Sequence, residues 1–307
     1  ADEAIRRRMP GIRYDLVARS PRYRYLAERL RRTIRRVAGI LAEHGKRGAF
    51  VPLAAEFVFG RDGPVPPLVV PIGDGRVLEL TGRIDRVDVA WGDGFCWLRV
   101  MDYKSGLIDW NWSEVYYGTA MQLAAYLDVL VAYADRWLGM PARPAGAFYF
   151  RVYDPLVRVK NEMTAEQLER ERLKRFRMKG LVLADPDVVR MMDAALSVRP
   201  GRSDIVPVGL KADGRWYAGS SVADEDGWNR LFRHVRGLLA ELGSRLARGR
   251  FDVAPYRFGR ETACDVCPYR AVCQFDPEIP GNRYRDWQGL KAHELWAKLA
   301  EDGEDKT

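Results

Sequence analysis

The sequence predicts an α/β (α+β) domain, a small mixed sheet with helices on its flanks. Three observations predict it. Two alternating runs flank Asp93-Gly94, a strong signal for a two-residue hairpin. A buried strand is expected at Ala147–Tyr153, returning to the sheet after a helix. Long amphipathic helical patterns open and follow these strands, and elements alternating in this way build layers of helix and sheet.

Ser20-Pro21 begins the first helix, with Ser as N-cap and Pro at the first helical position. Leu26, Leu30, Ile34, Val37 and Leu41 recur at helical spacing and are expected to be buried. The remaining faces carry Arg22, Arg24, Arg29, Arg31, Arg32, Arg35 and Arg36, either a solvated surface or a row of phosphate contacts. Val51–Phe59 reads as a strand, Pro64–Pro67 as a loop, and Arg76–Leu80 as a run joining the Asp93-Gly94 hairpin without a break. Trp110 and Trp112 fall in a loop, and core packing is favoured over base stacking for them. Ser113 caps a helix expected over 113–138, with Glu114 in its first turn.

Asp154-Pro155 closes the 147–153 strand. Residues 164–196 are helical in pattern, broken around Gly180 and Asp185-Pro186. Ile205–Leu210 and Arg215–Ala218 flank Asp213-Gly214 as a second hairpin. The last long helix, 224–248, has its stripe at Trp228, Leu231, Val235, Leu238, Leu242 and Leu246 and ends at Gly249. His234 within it reads as a satisfied helix histidine rather than a ligand.

With Asp93-Gly94 as the loop, Val87 faces Val100, Val89 faces Leu98 and Asp88 faces Arg99. The same register sets Asp85 opposite Asp102, with Lys104 on the face of Asp102. Two carboxylates face to face repel, and a divalent cation is the economical reason to keep them. Hard oxygen ligands suit Mg²⁺ or Mn²⁺, and an ammonium nearby orients a water or neutralises a phosphate.

Gly82-Arg83-Ile84-Asp85-Arg86-Val87-Asp88, Asp102-Tyr103-Lys104-Ser105-Gly106 and Gln122-Leu123-Ala124-Ala125-Tyr126 resemble the RecB-type branch of the PD-(D/E)XK nuclease superfamily. The resemblance implies a restriction-endonuclease-like core. It also implies Asp85 and Asp102 as metal ligands with the Tyr103 carbonyl as a third. Lys104 is then the catalytic lysine, with Gln122 and Tyr126 as auxiliary residues beside the DNA.

Cys264, Cys267 and Cys273 are the second informative cluster. Three thiols so spaced in an intracellular protein read as zinc or iron–sulfur ligands rather than disulfide partners. Cys96 is placed beside the hairpin turn and is not expected to join them. The run Cys273-Gln274-Phe275-Asp276-Pro277 with Pro280-Gly281-Asn282-Arg283-Tyr284, and the stretches Met178–Leu183 and Val115–Gly118, are similar to the AddB family of bacterial AddAB helicase–nucleases. That likeness implies a 4Fe-4S cluster on Cys264, Cys267 and Cys273, with a fourth Cys upstream. It also implies an AddA-like helicase–nuclease partner, single-stranded DNA as substrate, and a role in double-strand-break resection.

Neither the upstream Cys nor the family's first-helix His has a counterpart before Glu56. His44 lacks the flanking residues of that motif and receives no role. The sequence opens on Ala rather than Met, as expected of a C-terminal piece of a longer protein. The expected organisation is a nuclease domain over 1–250, with its catalytic core at about 51–153, and a Cys-bearing segment over 251–307 packed on it.

With 307 residues, 47% apolar and 30% charged, the chain can bury a sizeable core. Its formal net charge of +8 suits a polyanionic partner. No apolar run has the length of a membrane span, and a reducing cytoplasm is the expected location. No G-x-x-x-x-G-K-[ST] loop occurs, so an ATP motor is expected outside this chain. Two rival readings are an inactive DNA-binding scaffold of the same fold and a zinc-stapled interaction module.

Overall fold

The computed structural model describes residues 20–157 and 162–304. In chain order these form α1 (Pro21–Lys46), β1 (Val51–Phe59), β2 (Leu68–Gly73), β3 (Arg76–Leu80), β4 (Gly82–Trp91) and β5 (Cys96–Lys104). Next come α2 (Trp112–Tyr117), α3 (Gln122–Ala132), α4 (Ala134–Leu138), β6 (Ala142–Arg151), α5 (Ala165–Arg175) and β7 (Lys179–Leu183). After α6 (Pro186–Met192), α7 (Ala195–Val198), β8 (Gly201–Arg202), β9 (Gly209–Leu210) and β10 (Val222–Ala223) comes the long α8 (Glu225–Ala247). Short strands β11 (Tyr256–Phe258), β12 (Glu261–Thr262) and β13 (Arg285–Asp286), with α9 (Arg270–Cys273) and α10 (Ala292–Glu304), complete the chain. No helix among the described residues is long and apolar enough to cross a membrane.

The chain forms two compact units that alternate along the sequence. One takes the described chain up to Phe57, then Ile84–Trp110 and Leu138–Asp224; the other takes Val58–Arg83, Asn111–Trp137 and the chain from Glu225 onward.

The first unit is built on a six-stranded mixed sheet, ordered β1-β4-β5-β6-β7-β10. β4 and β5 are antiparallel, β5 and β6 parallel, β6 and β7 antiparallel, and β7 and β10 parallel. The central strands read as near-continuous apolar runs because both faces are covered. Val87, Leu98, Val100, Ala147, Phe148, Phe150 and Leu181 are fully buried there.

On α1 the buried residues are Thr33, Val37, Ile40 and His44. Leu26 and Leu30, expected in the core, are 43% and 49% exposed, so only the C-terminal half of the helix packs on this unit. Ser20 stands at the N-cap, without a side-chain cap bond, and Pro21 follows it. Arg32 and Arg36 both pair with Asp154.

Where 164–196 reads as helix, the structure has α5, then the buried strand β7, then α6 and α7. At Gly180, φ is 152°, and a Cβ there would lie 2.0 Å from the Ala147 carbonyl oxygen. Only glycine lets β7 approach β6 so closely. The Asp213-Gly214 turn is present, tied by a bridge between Leu210 and Trp216, but β9 pairs with β8.

The second unit packs α8 against α3, α10 and the β2–β3 hairpin. Trp228, Leu231, Val235 and Phe232 are its buried anchors, while Leu242 and Leu246, at the end of the expected stripe, are exposed. Arg236 ties α8 to α3 through a bidentate contact to Asp128, at 2.6 and 2.8 Å. His234 meets the Tyr116 carbonyl oxygen at 2.8 Å and stacks on its ring, as a satisfied helix histidine should.

The segment before β4 differs from expectation, since β3 turns back onto β2 instead of continuing into β4. Asp74 and Gly75 have φ of 54° and 69°, the pair of positive values a type I′ turn requires. The helix expected over 113–138 is split into α2, α3 and α4; Gly118 closes α2 in the left-handed conformation at φ 86°, and α3 ends at Tyr133. The α2 cap is Asn111 rather than Ser113; its side chain accepts from the N–H groups of Ser113 and Glu114.

Candidate nuclease site

The hairpin register is the one the sequence predicts. Pairs run from Trp91↔Cys96 through Asp88↔Arg99 and Val87↔Val100 to Arg86↔Met101. Gly92 N–H donates to the Phe95 carbonyl at 2.9 Å, closing the Asp93-Gly94 loop.

One residue beyond the last pair, Asp85 and Asp102 come together. Asp85 Oδ2 accepts the backbone N–H of Tyr103 at 2.8 Å. Asp102 is buried, and Lys104 Nζ stands 2.6 Å from its Oδ2. That contact lies outside hydrogen-bonding angles, so this oxygen has a neighbouring charge and no directed donor among the described residues. Burial raises the Asp102 pKa above the ordinary carboxylate value; Lys104 lowers it and the nearby Asp85 raises it further. A buried, under-satisfied carboxylate beside a second one is a donor set that a hard divalent cation satisfies.

The opposite face of the hairpin is a buried ion cluster. Asp88 accepts from Arg86 at 2.6 Å and from Arg99 at 2.8 and 2.9 Å. Burial works most strongly against the Arg86 charge, but the bond to Asp88, the charge of Asp88 and a further bond to Tyr103 together outweigh it and raise its pKa. Arg99 also lies over the Phe50 ring at 4.7 Å. The Asp88–Arg99 pair was legible in the register, whereas the share of Arg86 was not.

Gln122 and Tyr126, in the second unit, share a 2.9 Å hydrogen bond from Gln122 Nε2 to Tyr126 Oη. Tyr126 packs edge-on to Phe59 at 5.7 Å. Trp110 is half-buried and packs on Tyr149, while Trp112 opens α2 and meets Trp296 edge-on. Sequence reasoning missed Tyr149 and Lys179, which pair in register with Asp102 across β6 and β7. No local signal brings them to Asp102, because both pairings link residues far apart in the chain.

Cys264, Cys267 and Cys273 are free thiols, the last exposed. Among the described residues no three His, Cys, Asp or Glu side chains are gathered closely enough to hold a metal ion. The iron–sulfur cluster that the family likeness implies is therefore not supported. Cys264 sits in a short 3₁₀ turn and Cys273 at the end of the four-residue α9. Cys96 is buried in β5 opposite Trp91.

A mixed sheet bearing two carboxylates and a lysine at the end of one hairpin is the core of a phosphodiester-cleaving fold. Residues 1–274 match the family model of the PD-(D/E)XK nuclease superfamily, and the chain belongs to that superfamily. Membership implies a divalent metal such as Mg²⁺, which the Asp85–Asp102 donor set fits.

Among curated proteins the chain is similar to the B subunit of the ATP-dependent helicase/deoxyribonuclease of Bacillus subtilis (strain 168), at 39% identity over 307 residues. The same-named subunits of Pelotomaculum thermopropionicum (strain DSM 13744) and Bacillus cereus (strain ATCC 14579) are 41% and 40% identical. These alignments cover 95–99% of this chain but only 25–26% of the relatives. The chain thus spans about a quarter of their length.

Proposed function

We propose that this chain is the nuclease module of an AddB-like subunit, hydrolysing phosphodiester bonds of single-stranded DNA during double-strand-break repair. The observation that carries the reading is the meeting of Asp85, Asp102 and Lys104 at one end of the β4–β5 hairpin. In this reading Asp85, Asp102 and the Tyr103 carbonyl hold Mg²⁺ or Mn²⁺. Tyr103 gives its N–H to Asp85, and in an extended strand the carbonyl of a residue points to the same edge as its N–H. The bound metal supplies Lewis acidity to a phosphoryl oxygen and lowers the pKa of a water.

Lys104 orients the attacking water and offsets charge developing on the phosphate. Its ammonium already sits against Asp102, so it is placed without reorganisation. Gln122 and Tyr126, which hold each other's polar ends, act as auxiliary residues on the substrate backbone.

The reading gives the module a DNA partner and an AddA-like helicase–nuclease subunit in the bacterial cytoplasm. ATP-driven unwinding, part of the relatives' name, is assigned to sequence other than this quarter. A cluster on Cys264, Cys267 and Cys273 forms no part of the reading, since these thiols are not gathered.

The test is Mg²⁺-dependent cleavage of a labelled single strand by wild type, Asp102→Ala and Lys104→Ala. Loss of cleavage with Asp102→Ala, and a fall of about 10²–10⁴-fold with Lys104→Ala, is expected. Equal rates for the three would remove the assigned chemistry.

A further inference from the structure

Three residues stand in register across one face of the six-stranded sheet. Asp102 on β5 pairs with Tyr149 on β6, and Tyr149 pairs with Lys179 on β7. Residues directly paired on neighbouring strands present their side chains to the same face. Lys179 therefore shares the face of Asp102, at two strand spacings, about 10 Å. Ring contacts agree with this placement. Lys104 Nζ lies 5.8 Å from the Tyr149 ring centroid, and Trp110 packs on the same ring at 6.5 Å.

The loop that follows β5 brings Asp109 to this face, where Lys179 Nζ meets its Oδ1 at 3.3 Å. The side chains are 41% and 73% exposed. Ion pairs this open hold weakly, so Asp109 is readily exchanged for a stronger anion. The backbone beneath the lysine is, by contrast, fixed. Gly180 brings β7 so close to the Ala147 carbonyl that no other residue fits, which sets where Lys179 leaves the sheet. Lys104 stands at the carboxylates, and Lys179 offers a second ammonium two strands away on the same face.

We propose that Lys179 is a positioning residue for the substrate strand. Its ammonium leaves Asp109 to bind the phosphate next to the scissile one, and so directs the strand across β5, β6 and β7 past Tyr149 and Trp110. This assignment rests on the nuclease reading and extends it to the path of the DNA. No bond is made or broken by Lys179; it exchanges one anionic partner for another.

The test uses the full chain and a labelled oligodeoxythymidylate. Binding is measured in EDTA over a salt series, and cleavage in Mg²⁺. Freeing one phosphate of a single strand from its cation reduces the slope of log Kd against log salt by about 0.7. Lys179→Ala is expected to show that reduction and to raise KM about tenfold, while kcat at saturating DNA stays within about twofold. Lys179→Arg restores the slope.

Asp109→Asn, which leaves the lysine in place and removes its competitor, is expected to tighten binding. A wild-type slope and KM in Lys179→Ala would overturn the proposal. Should that variant fail to fold, unchanged affinity in Asp109→Asn overturns it equally. Absence of Mg²⁺-dependent cleavage by wild type would defeat the nuclease reading, while the salt slope still decides whether Lys179 holds a phosphate.

Discussion

The Asp85 carboxylate is bonded across the hairpin to the backbone N–H of Tyr103, at 2.8 Å. One side chain thus fixes the end of the β4–β5 ladder and supplies a charge to the candidate metal site. The two roles separate by substitution. Asp85→Asn keeps an oxygen acceptor for the Tyr103 N–H and removes the charge. It is expected to abolish Mg²⁺-dependent cleavage with a nearly unchanged melting temperature. Asp85→Ala loses both, and its stability falls by a further ~1 kcal/mol. Thermal melts beside cleavage assays check this.

Asp88 is almost fully buried between Arg86 and Arg99. Removing it leaves two guanidinium groups in the interior without their counter-charge. Asp88→Ala is expected to cost about 3–5 kcal/mol, the range for breaking one partner of a buried ion pair. Urea unfolding followed by tryptophan fluorescence measures it.

His44 gives a pH dependence with a definite sign. Its ring is buried against Phe150, with neither nitrogen hydrogen-bonded among the described residues. Burial, then Arg99 and Arg47, push its pKa down from 6.5 to about 4, while Asp193 pulls the other way and Arg86 adds to the depression. Between those values the unfolded chain binds the proton and the folded chain does not. Stability from this residue is therefore complete above pH 6.5 and is lost as the pH falls toward 4. The loss between pH 7.5 and 5 is roughly 2 kcal/mol. His44→Leu is expected to flatten that part of the profile in urea titrations at the two pH values.

Two glycines respond to alanine in opposite directions. Gly39 lies inside α1, where an added Cβ meets nothing within 4 Å, and Gly39→Ala is expected to stabilise by about 0.5–1 kcal/mol. Gly180→Ala meets the Ala147 carbonyl and a positive φ, and is expected to destabilise by roughly 1–3 kcal/mol. Differential scanning calorimetry of both variants provides the comparison.

The carboxylate pair was legible because a short turn with a strong local signal fixes the register of everything above it. Asp74-Gly75 carries the same signal, yet β2 was missed: Pro64–Pro67 and Pro71 hid a strand that begins at Leu68. The stripe on α1 told which face was apolar, not what covers it, so Leu26 and Leu30 were placed in a core they do not enter. β7 is five residues long and flanked by helical patterns, and only its partner β6 makes it a strand. Lys179 was unreadable for the same reason. The cysteine spacing suggested a metal, but spacing along a chain does not bring thiols together in space.

Adjacent strands β5 and β6 run parallel, and residues 111–137 between them belong to the other unit. Each unit is therefore assembled from separate stretches of chain with the other's residues in between. No single cut in the gene frees one unit from the other: a cut after Asp224 keeps every stretch of the first unit but also carries Val58–Arg83 and Asn111–Trp137 of the second. Isolating the first unit requires excising Val58–Arg83 and Asn111–Trp137 and bridging each gap with a short loop.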